Sequence, residues 1–177
     1  EEFFTMKMST QFNLNSVMND IKTLTYSLET MYDKSINYNF KNEHIFIEHD
    51  IFRIKQILLN TISNAIYHST TQSISVHLYI DEMNSQMHFS VKNDCDENLH
   101  NRIDSLCDPF VRCNDYSNTG TGLGMYICKH IVTKLNGVID LNVNKGQLTT
   151  KLCIPINILN TSTNTNKKIL IVDDFVG

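Results

Sequence analysis

The stretch DIFRIKQILLNTISNAIYH, from Asp50 to His68, organises the interpretation of the whole sequence. At about 100° per residue, its apolar side chains fall on one side, which predicts an amphipathic helix with one face in the core. A polar stripe with Asn60 and Asn64 one turn apart runs along the other side. Asn is a poor residue inside a helix, because its amide competes for backbone hydrogen bonds. The stripe is therefore either solvated surface or a binding face, and the helix alone does not distinguish the two. The stripe consists of Arg53, Gln56, Asn60, Asn64 and Tyr67.

The composition sets the broad class of the protein. The 177 residues fit one domain plus a fragment, and 41% hydrophobic residues suffice for a core. A net charge of −4 does not suggest a nucleic-acid partner or direct contact with an anionic membrane. The five cysteines are odd in number and have no C-x-x-C spacing, which argues against a disulfide framework and a zinc site. We expect a cytoplasmic chain, whose parent protein is compatible with a membrane anchor.

The sequence before and after the striped helix predicts a mixture of helix and strand. Leu14 to Met31 repeats apolar residues at helical spacing, with Asn13 or Asn15 as N-cap. Strands are predicted at Ser35–Phe40 and His44–Glu48. After the striped helix, alternating patterns predict a hairpin, which we place at Ser73–Ile80 and Gln86–Asn93.

The segment from Cys95 to Thr119 is long and mostly irregular, which is typical of a lid or a binding loop. Gly120, Gly122 and Gly124 then open a helix. Glycines at a helix start let backbone N–H groups approach phosphate oxygens, although G-x-G-x-G by itself is a weak indicator. It is neither a dinucleotide fingerprint nor a P-loop, because no strand feeds it directly and no Lys-Ser/Thr follows.

The last part of the sequence predicts two strands, a linker and a new element. Asn136-Gly137 is a natural C-cap for the glycine-opened helix. Strands follow at Val138–Asn144 and Gln147–Ile154. Asn157 to Asn166 reads as a polar linker without an apolar period, and KILIVDD (Lys168 to Asp174) as a buried strand ending in two acids.

This order of motifs resembles the ATP-binding catalytic domain of sensor histidine kinases, in the ATPase family shared with gyrase and HSP90. RIKQILLNTISNAIYHS resembles the N box of that family, DPF at Asp108 to Phe110 its F box, and GTGLGMYICKHI its second glycine box. NKGQLTTKLCIPI resembles the closing hairpin. The resemblance implies an α+β fold, a two-layer α/β sandwich of the Bergerat ATPase type, with a mixed, mostly antiparallel sheet and helices packed on one face.

The resemblance also implies a domain arrangement. Residues 1–9 resemble the end of a dimerisation helix, 10–156 the catalytic domain, 157–166 a linker, and 167–177 the first strand of a receiver domain. The parent would then be a hybrid histidine kinase. Its partners would be its own dimerisation and His-phosphotransfer domain, a receiver domain, and a second copy joined through the dimerisation helices.

The functional residues implied by the resemblance lie at matching positions. Asn64 is the expected Mg²⁺ ligand, Asn60 its helper at the phosphates, and Phe110 a lid anchor. The reaction would transfer the γ-phosphoryl group of ATP to a His outside this chain, by positioning and charge neutralisation. The implied catalytic residues are Asn60 and Asn64. The implied ATP-binding set is Asn60, Asn64, Tyr67, Asn93, Phe110, Gly120, Thr121, Gly122, Leu123 and Gly124.

The sequence departs from the family pattern at the first glycine box. Asn93 stands where an Asp binds the adenine amino group, so the charge-assisted form of that hydrogen bond is given up. Cys95 and Glu97 replace glycines, which is costly if the backbone needs positive φ, and Glu97 adds negative charge near the ligand. Tyr67 replaces a Lys that often neutralises phosphate.

Two functions therefore stay open on the sequence: a working kinase domain, or a degenerate pseudokinase that binds ATP weakly or not at all and docks other components of a phosphorelay. An ATPase of the gyrase or HSP90 type is disfavoured, because Gln56 is a neutral amide that cannot take a proton from water. His68 and His130 are expected to be surface or packing residues. Core positions are expected for Tyr126, Cys128 and Cys153.

Overall fold

The computed structural model describes residues 9–41, 45–111 and 121–159. Within them, helices cover one face of a five-stranded sheet, and a three-stranded sheet lies beside them. The helical elements are α1 (Leu14–Met31), α2 (Ile51–His68), a 3₁₀ helix (Glu97–Ser105) and α3 (Gly124–Lys134). The predicted α+β class is confirmed.

The five-stranded sheet has the order β2-β4-β5-β7-β6, in which the β2–β4 pair is parallel and the other pairs are antiparallel. Its strands alternate buried and exposed residues, because one face packs on the helices while the other meets solvent. The predicted mixed, mostly antiparallel sheet is therefore confirmed. The strands are β2 (Ser35–Phe40), β4 (Ser73–Asp81), β5 (Gln86–Asp94), β6 (Val138–Asn144) and β7 (Gln147–Pro155).

The three-stranded sheet is antiparallel, with the order β1-β3-β8, and the sequence patterns did not predict it as a sheet. Its strands are β1 (Thr10–Asn13), β3 (Phe46–His49) and β8 (Asn157–Leu159). The predicted linker began at Asn157, and this is wrong for Asn157–Leu159, because Ile158 pairs with Ile47 and packs against the core. The strand predicted at His44–Glu48 is shifted to Phe46–His49.

Helix α2 is central to the core. Ile54, Leu58 and Ile62 have no exposed surface, so the predicted apolar face packs between the sheet and the neighbouring helices. The helix begins after Asp50, whose carboxylate accepts hydrogen bonds from the backbone N–H groups of Phe52 and Arg53, both at 3.1 Å. That N-cap satisfies donors that the first helical turn leaves without partners.

Helix α3 ends where the sequence predicted, and Asn136 and Gly137 contribute to its C-cap in different ways. Asn136 adopts the left-handed conformation, with φ of 55°. Gly137 donates its N–H to the Val132 carbonyl at 2.8 Å, which closes the helix end. Gly137 is required for a different reason: a Cβ there would lie 2.5 Å from the Cys153 carbonyl oxygen.

Candidate functional site

A cavity of about 760 Å³ lies between α2, the end of β5, the 3₁₀ helix and the start of α3. Its size suits a ligand of several hundred daltons, since such sites are usually about 300–1,000 Å³. Seven of the residues implied by the resemblance line it: Asn60, Asn64, Tyr67, Asn93, Thr121, Gly122 and Gly124. The structure thus brings together side chains that are far apart in the sequence.

The polar stripe of α2 divides into two parts. At its start, Arg53 Nη1 donates to Gln56 Oε1 at 2.8 Å, and neither residue lines the cavity. From Asn60 onward the stripe faces the cavity, where Asn60 and Asn64 are half-buried. The same face continues to His68, one turn after Asn64. The solvated interpretation therefore fits the first turns of the stripe, and the binding interpretation fits the rest.

At one end of the cavity, Asn64 faces the start of α3. A Cβ on Gly124 would lie 3.3 Å from Asn64 Nδ2 and 3.4 Å from Oδ1, so a larger residue would crowd the amide. Leu123 occupies the N-cap position of α3 and supplies no side-chain cap. The first backbone N–H groups of α3 are thus left for another acceptor, and a helix start favours an anion.

Phe110, which lies within the predicted lid, contacts the residues that lead into this helix start. Phe110 donates its N–H to the Gly122 carbonyl at 3.0 Å. Gly122 has φ of 71°, and a Cβ there would lie 2.7 Å from the Phe110 carbonyl carbon and 2.8 Å from Val111 O. Phe110 itself is left-handed, with φ of 66°, and its side chain is 72% exposed. Its ring and Leu123 do not line the cavity, and Gly120 lies outside the described residues.

The opposite end of the cavity contains Asn93, which is 3% exposed. Asn93 Nδ2 donates to the Asp94 carbonyl at 3.1 Å. The Asp94 carboxylate is turned away and accepts from Thr71 Oγ1 at 2.8 Å and Gln147 Nε2 at 3.0 Å. Adjacent strand residues point to opposite faces, which explains why Asp94 does not occupy the position of Asn93.

The replaced glycines do not distort this end of the cavity. Neither Cys95 nor Glu97 adopts positive φ, so the expected backbone cost is not incurred. The Cys95 N–H donates to the Gly146 carbonyl at 2.8 Å, which ties the segment to the β6–β7 turn. Glu97 is exposed beside Gly146 and does not line the cavity, so the expected negative charge is not placed there. Asp96 lines it instead and caps the 3₁₀ helix by accepting from Asn98 N at 2.8 Å.

Most of the lining residues were not among the predicted site residues, and two of these are basic, His68 and Arg102. His68 lines the cavity and is half-buried, and burial lowers the pKa of its imidazole. Its i+4 spacing from Asn64 was the available signal. Arg102 lines the cavity from the 3₁₀ helix, in a segment that the sequence presented as irregular. Tyr67 combines its place on the wall with an edge-to-face contact to Tyr32, with ring centroids 5.0 Å apart.

Other side-chain expectations had mixed outcomes. Cys128 is fully buried, as expected, and burial raises the pKa of its thiol to about 12. The expectation of a core position is wrong for Cys153, which is half-buried, with its Sγ 3.3 Å from Gln86 Oε1. Tyr126 is also half-buried, beside His130 on the outer side of α3.

Comparison with known proteins identifies the class that this fold and cavity define. The profile of the family described as histidine kinase-, DNA gyrase B- and HSP90-like ATPase matches residues 49–158. The chain belongs to this family.

Individual relatives agree with that assignment. Sporulation kinase A of Bacillus subtilis (strain 168) is 25% identical over 136 residues, which are 76% of this chain and 22% of that protein. The catalytic domain of the histidine kinase ThkA, in a nucleotide-free form, is 26% identical with a TM-score of 0.67, covering 84% of this chain and 96% of that one. Full-length ShkA in complex with AMPPNP shares the fold, with a TM-score of 0.73 at 16% identity over 88% of this chain and 33% of that one. This chain therefore spans about a fifth of the length of sporulation kinase A.

None of the helices in the described ranges is long and apolar enough to cross a membrane. Across the same ranges, no group of three or more His, Cys, Asp or Glu side chains is arranged to hold a metal ion.

Proposed function

We propose that this chain is the ATP-binding catalytic domain of a histidine kinase, and that it binds Mg-ATP in the cavity lined by α2 and α3. The observation that carries the proposal is the placement of Asn64 against Gly124 at the uncapped start of α3. An amide oxygen and a row of backbone N–H groups then face the same space, which suits a phosphate-bound metal.

The base of the nucleotide would lie at the Asn93 end. Because Asn93 Nδ2 already donates to the Asp94 carbonyl, its Oδ1 is the atom that can accept from a ligand in the cavity. An exocyclic amino group such as that of adenine supplies the matching donor. Asn93 is almost completely buried, so a hydrogen bond to its Oδ1 would contribute to binding, since a buried polar group without a partner costs about 1–3 kcal/mol.

The phosphates would lie at the other end. Asn64 would hold Mg²⁺ and Asn60 would assist, and the fit is supported by the chemistry of the donors: neutral amides leave charge balance to the phosphates. When bound, Mg²⁺ neutralises the charge that develops on the transferred phosphoryl group. Gly122 and Gly124 keep side chains away from the phosphates. Phe110 would anchor the lid beside the helix start through its hydrogen bond to the Gly122 carbonyl.

Catalysis in this arrangement is positioning. The chain would hold the nucleotide so that its γ-phosphoryl group is presented to a His on a dimerisation domain outside this chain. The wider assignment, a hybrid kinase that acts as a cytoplasmic homodimer with a receiver domain, rests on the sequence resemblance at residues 1–9 and 167–177, which lie outside the described residues except for Ser9.

The alternative, a degenerate docking module, has weaker support. It depended on backbone strain at Cys95 and Glu97 and on a negative charge at Glu97. Both residues avoid the left-handed region, and Glu97 faces away from the cavity. What remains of the argument is the loss of one charge at Asn93, which weakens a single hydrogen bond, and the presence of Tyr67 in place of a Lys.

The test is phosphoryl transfer by the parent kinase that includes the dimerisation helices. Label from γ-labelled ATP should appear on the protein in an acid-labile linkage, as for phosphohistidine. Asn64→Ala should remove that labelling without much loss of stability, because the side chain faces the cavity. Asn142→Ala is the matched control, since Asn142 is exposed on the outer face of β6.

Labelling at the wild-type level in Asn64→Ala would refute the role of Asn64. Nucleotide binding by the wild type without any labelling would favour the docking module. Loss of the folded state in Asn64→Ala, detected by circular dichroism, would mean that Asn64 is structural.

A further inference from the structure

The electrostatic character of the cavity depends on very few side chains. Among its lining residues that the structure describes, Arg102 is the one Arg or Lys, and Asp96 is the one carboxylate. His68 also lines the cavity, but burial lowers the pKa of its imidazole, which favours the uncharged form. The described walls therefore provide a single permanent positive charge for a strongly negative ligand.

The backbone around Arg102 is held in place by side-chain packing and by a hydrogen bond. Leu99 and Leu106, one on each side of Arg102 in the sequence, are buried in a small second core with Leu141 and Leu148 of the sheet. Ser105 Oγ donates to the Arg102 carbonyl at 2.9 Å, which holds the last turn of the 3₁₀ helix. The backbone of Arg102 is thus fixed while its half-buried side chain faces the cavity.

Arg102 lies in the sequence between Asn93 and the lid anchor at Phe110, and it lines the cavity. The chain leaves the Asn93 end at Cys95, runs through the 3₁₀ helix, and reaches the lid anchor at Phe110 beside Gly122. A ligand that fills this cavity from Asn93 to the start of α3 would share it with Arg102. For a nucleotide, the part between base and terminal phosphates contains the ribose and the first phosphates.

We propose that Arg102 binds a phosphate group of the nucleotide and supplies the permanent positive charge of the described cavity walls. The inference rests on the proposed function. A guanidinium fork can give two parallel hydrogen bonds to one phosphate, and such charge-assisted bonds are about twice as strong as neutral ones. Arg102 would therefore be a binding residue that discriminates nucleotides from nucleosides.

The experiment is a calorimetric titration of this chain with ADP in the presence of Mg²⁺, and with adenosine. Arg102→Met should weaken ADP binding about tenfold, as expected for the loss of a charge-assisted hydrogen bond, and leave adenosine binding within about twofold. Arg102→Lys should recover part of the ADP affinity. Arg53→Met is the matched control, because Arg53 is bonded to Gln56 outside the cavity.

Several results would overturn the inference. Unchanged ADP affinity in Arg102→Met would do so, and so would an equal loss for ADP and adenosine, which would mean that Arg102 only shapes the wall. Urea unfolding of Arg102→Met separates that structural effect from loss of charge. If the wild type binds adenosine and ADP but Arg102→Met does not differ, this inference fails alone. If the wild type binds neither ligand, the proposed function fails as well.

Discussion

Replacing Gly122 by Ala tests the lid anchor, and Gly146→Ala is its matched control. Both glycines have φ of 71°, so both substitutions place an L-residue in the left-handed region, at a cost of about 1–2 kcal/mol. The surroundings differ. At Gly146 the nearest atom to a new Cβ is Cys95 O at 3.7 Å, an ordinary contact. At Gly122 the nearest atoms belong to the Phe110 and Val111 backbone, at 2.7 and 2.8 Å, so the backbone itself must move.

The two variants should therefore separate stability from binding. Urea unfolding should show that Gly146→Ala loses about 1–2 kcal/mol, while its affinity for Mg-ATP stays within about twofold. Gly122→Ala should lose at least as much stability. It should also weaken Mg-ATP binding about tenfold or more, since displacing Phe110 breaks its 3.0 Å hydrogen bond to Gly122 and moves the wall of the phosphate end. Equal nucleotide affinities for the two variants would refute the idea that this contact shapes the site.

Three further predictions concern the base end, a helix cap and a buried phenol. Asn93→Asp should tighten ATP binding about threefold to tenfold, because a carboxylate makes a charge-assisted hydrogen bond. Adding Cys95→Gly and Glu97→Gly should not increase the affinity further, because neither position is left-handed. A calorimetric titration series in which the added glycines tighten binding would contradict this. Asp50→Ala should lower the free energy of unfolding by about 1–2 kcal/mol through loss of the α2 N-cap, while Asp50→Asn should keep most of it; equal losses in urea unfolding would count against capping. Burial raises the pKa of Tyr38 to about 12, despite its 2.8 Å hydrogen bond with Thr25. Since a Tyr in the unfolded chain titrates near pH 10, the unfolded state loses its proton first, and stability should fall as the pH rises from about 10 to about 12. Tyr38→Phe should remove that part of the pH dependence.

The sequence was most informative where local periodicity and local chemistry act together. The apolar period of α2 and its Asp50 cap are both local, and the structure has them where they were predicted. The alternation in β4 and β5 likewise marks which residues face the core. Asn93, at the end of the inward-facing row of β5, stood out because it broke that alternation.

Features that depend on distant pairing were not predictable in the same way. Strand β8 exists because Asn157–Leu159 pairs with β3, far away in the sequence, and nothing in its own polar surroundings indicates a strand. The 3₁₀ helix is held by Leu99 and Leu106 packing on the sheet, and its short apolar period is too sparse to detect. Arg102 lies on that element, so the sequence did not predict it as a residue of the candidate site. The strain expected at Cys95 depended on φ, which residue type alone does not reveal.

The most direct measurement is a calorimetric titration of the wild-type chain with ATP in the presence of Mg²⁺, repeated with Asn64→Ala. Binding to a single site with an affinity in roughly the micromolar to millimolar range is predicted for the wild type, about −8 to −4 kcal/mol, with no measurable binding by the variant. Absence of saturable heat from the wild type at high protein concentration would contradict the central claim that the cavity between α2 and α3 is an ATP site.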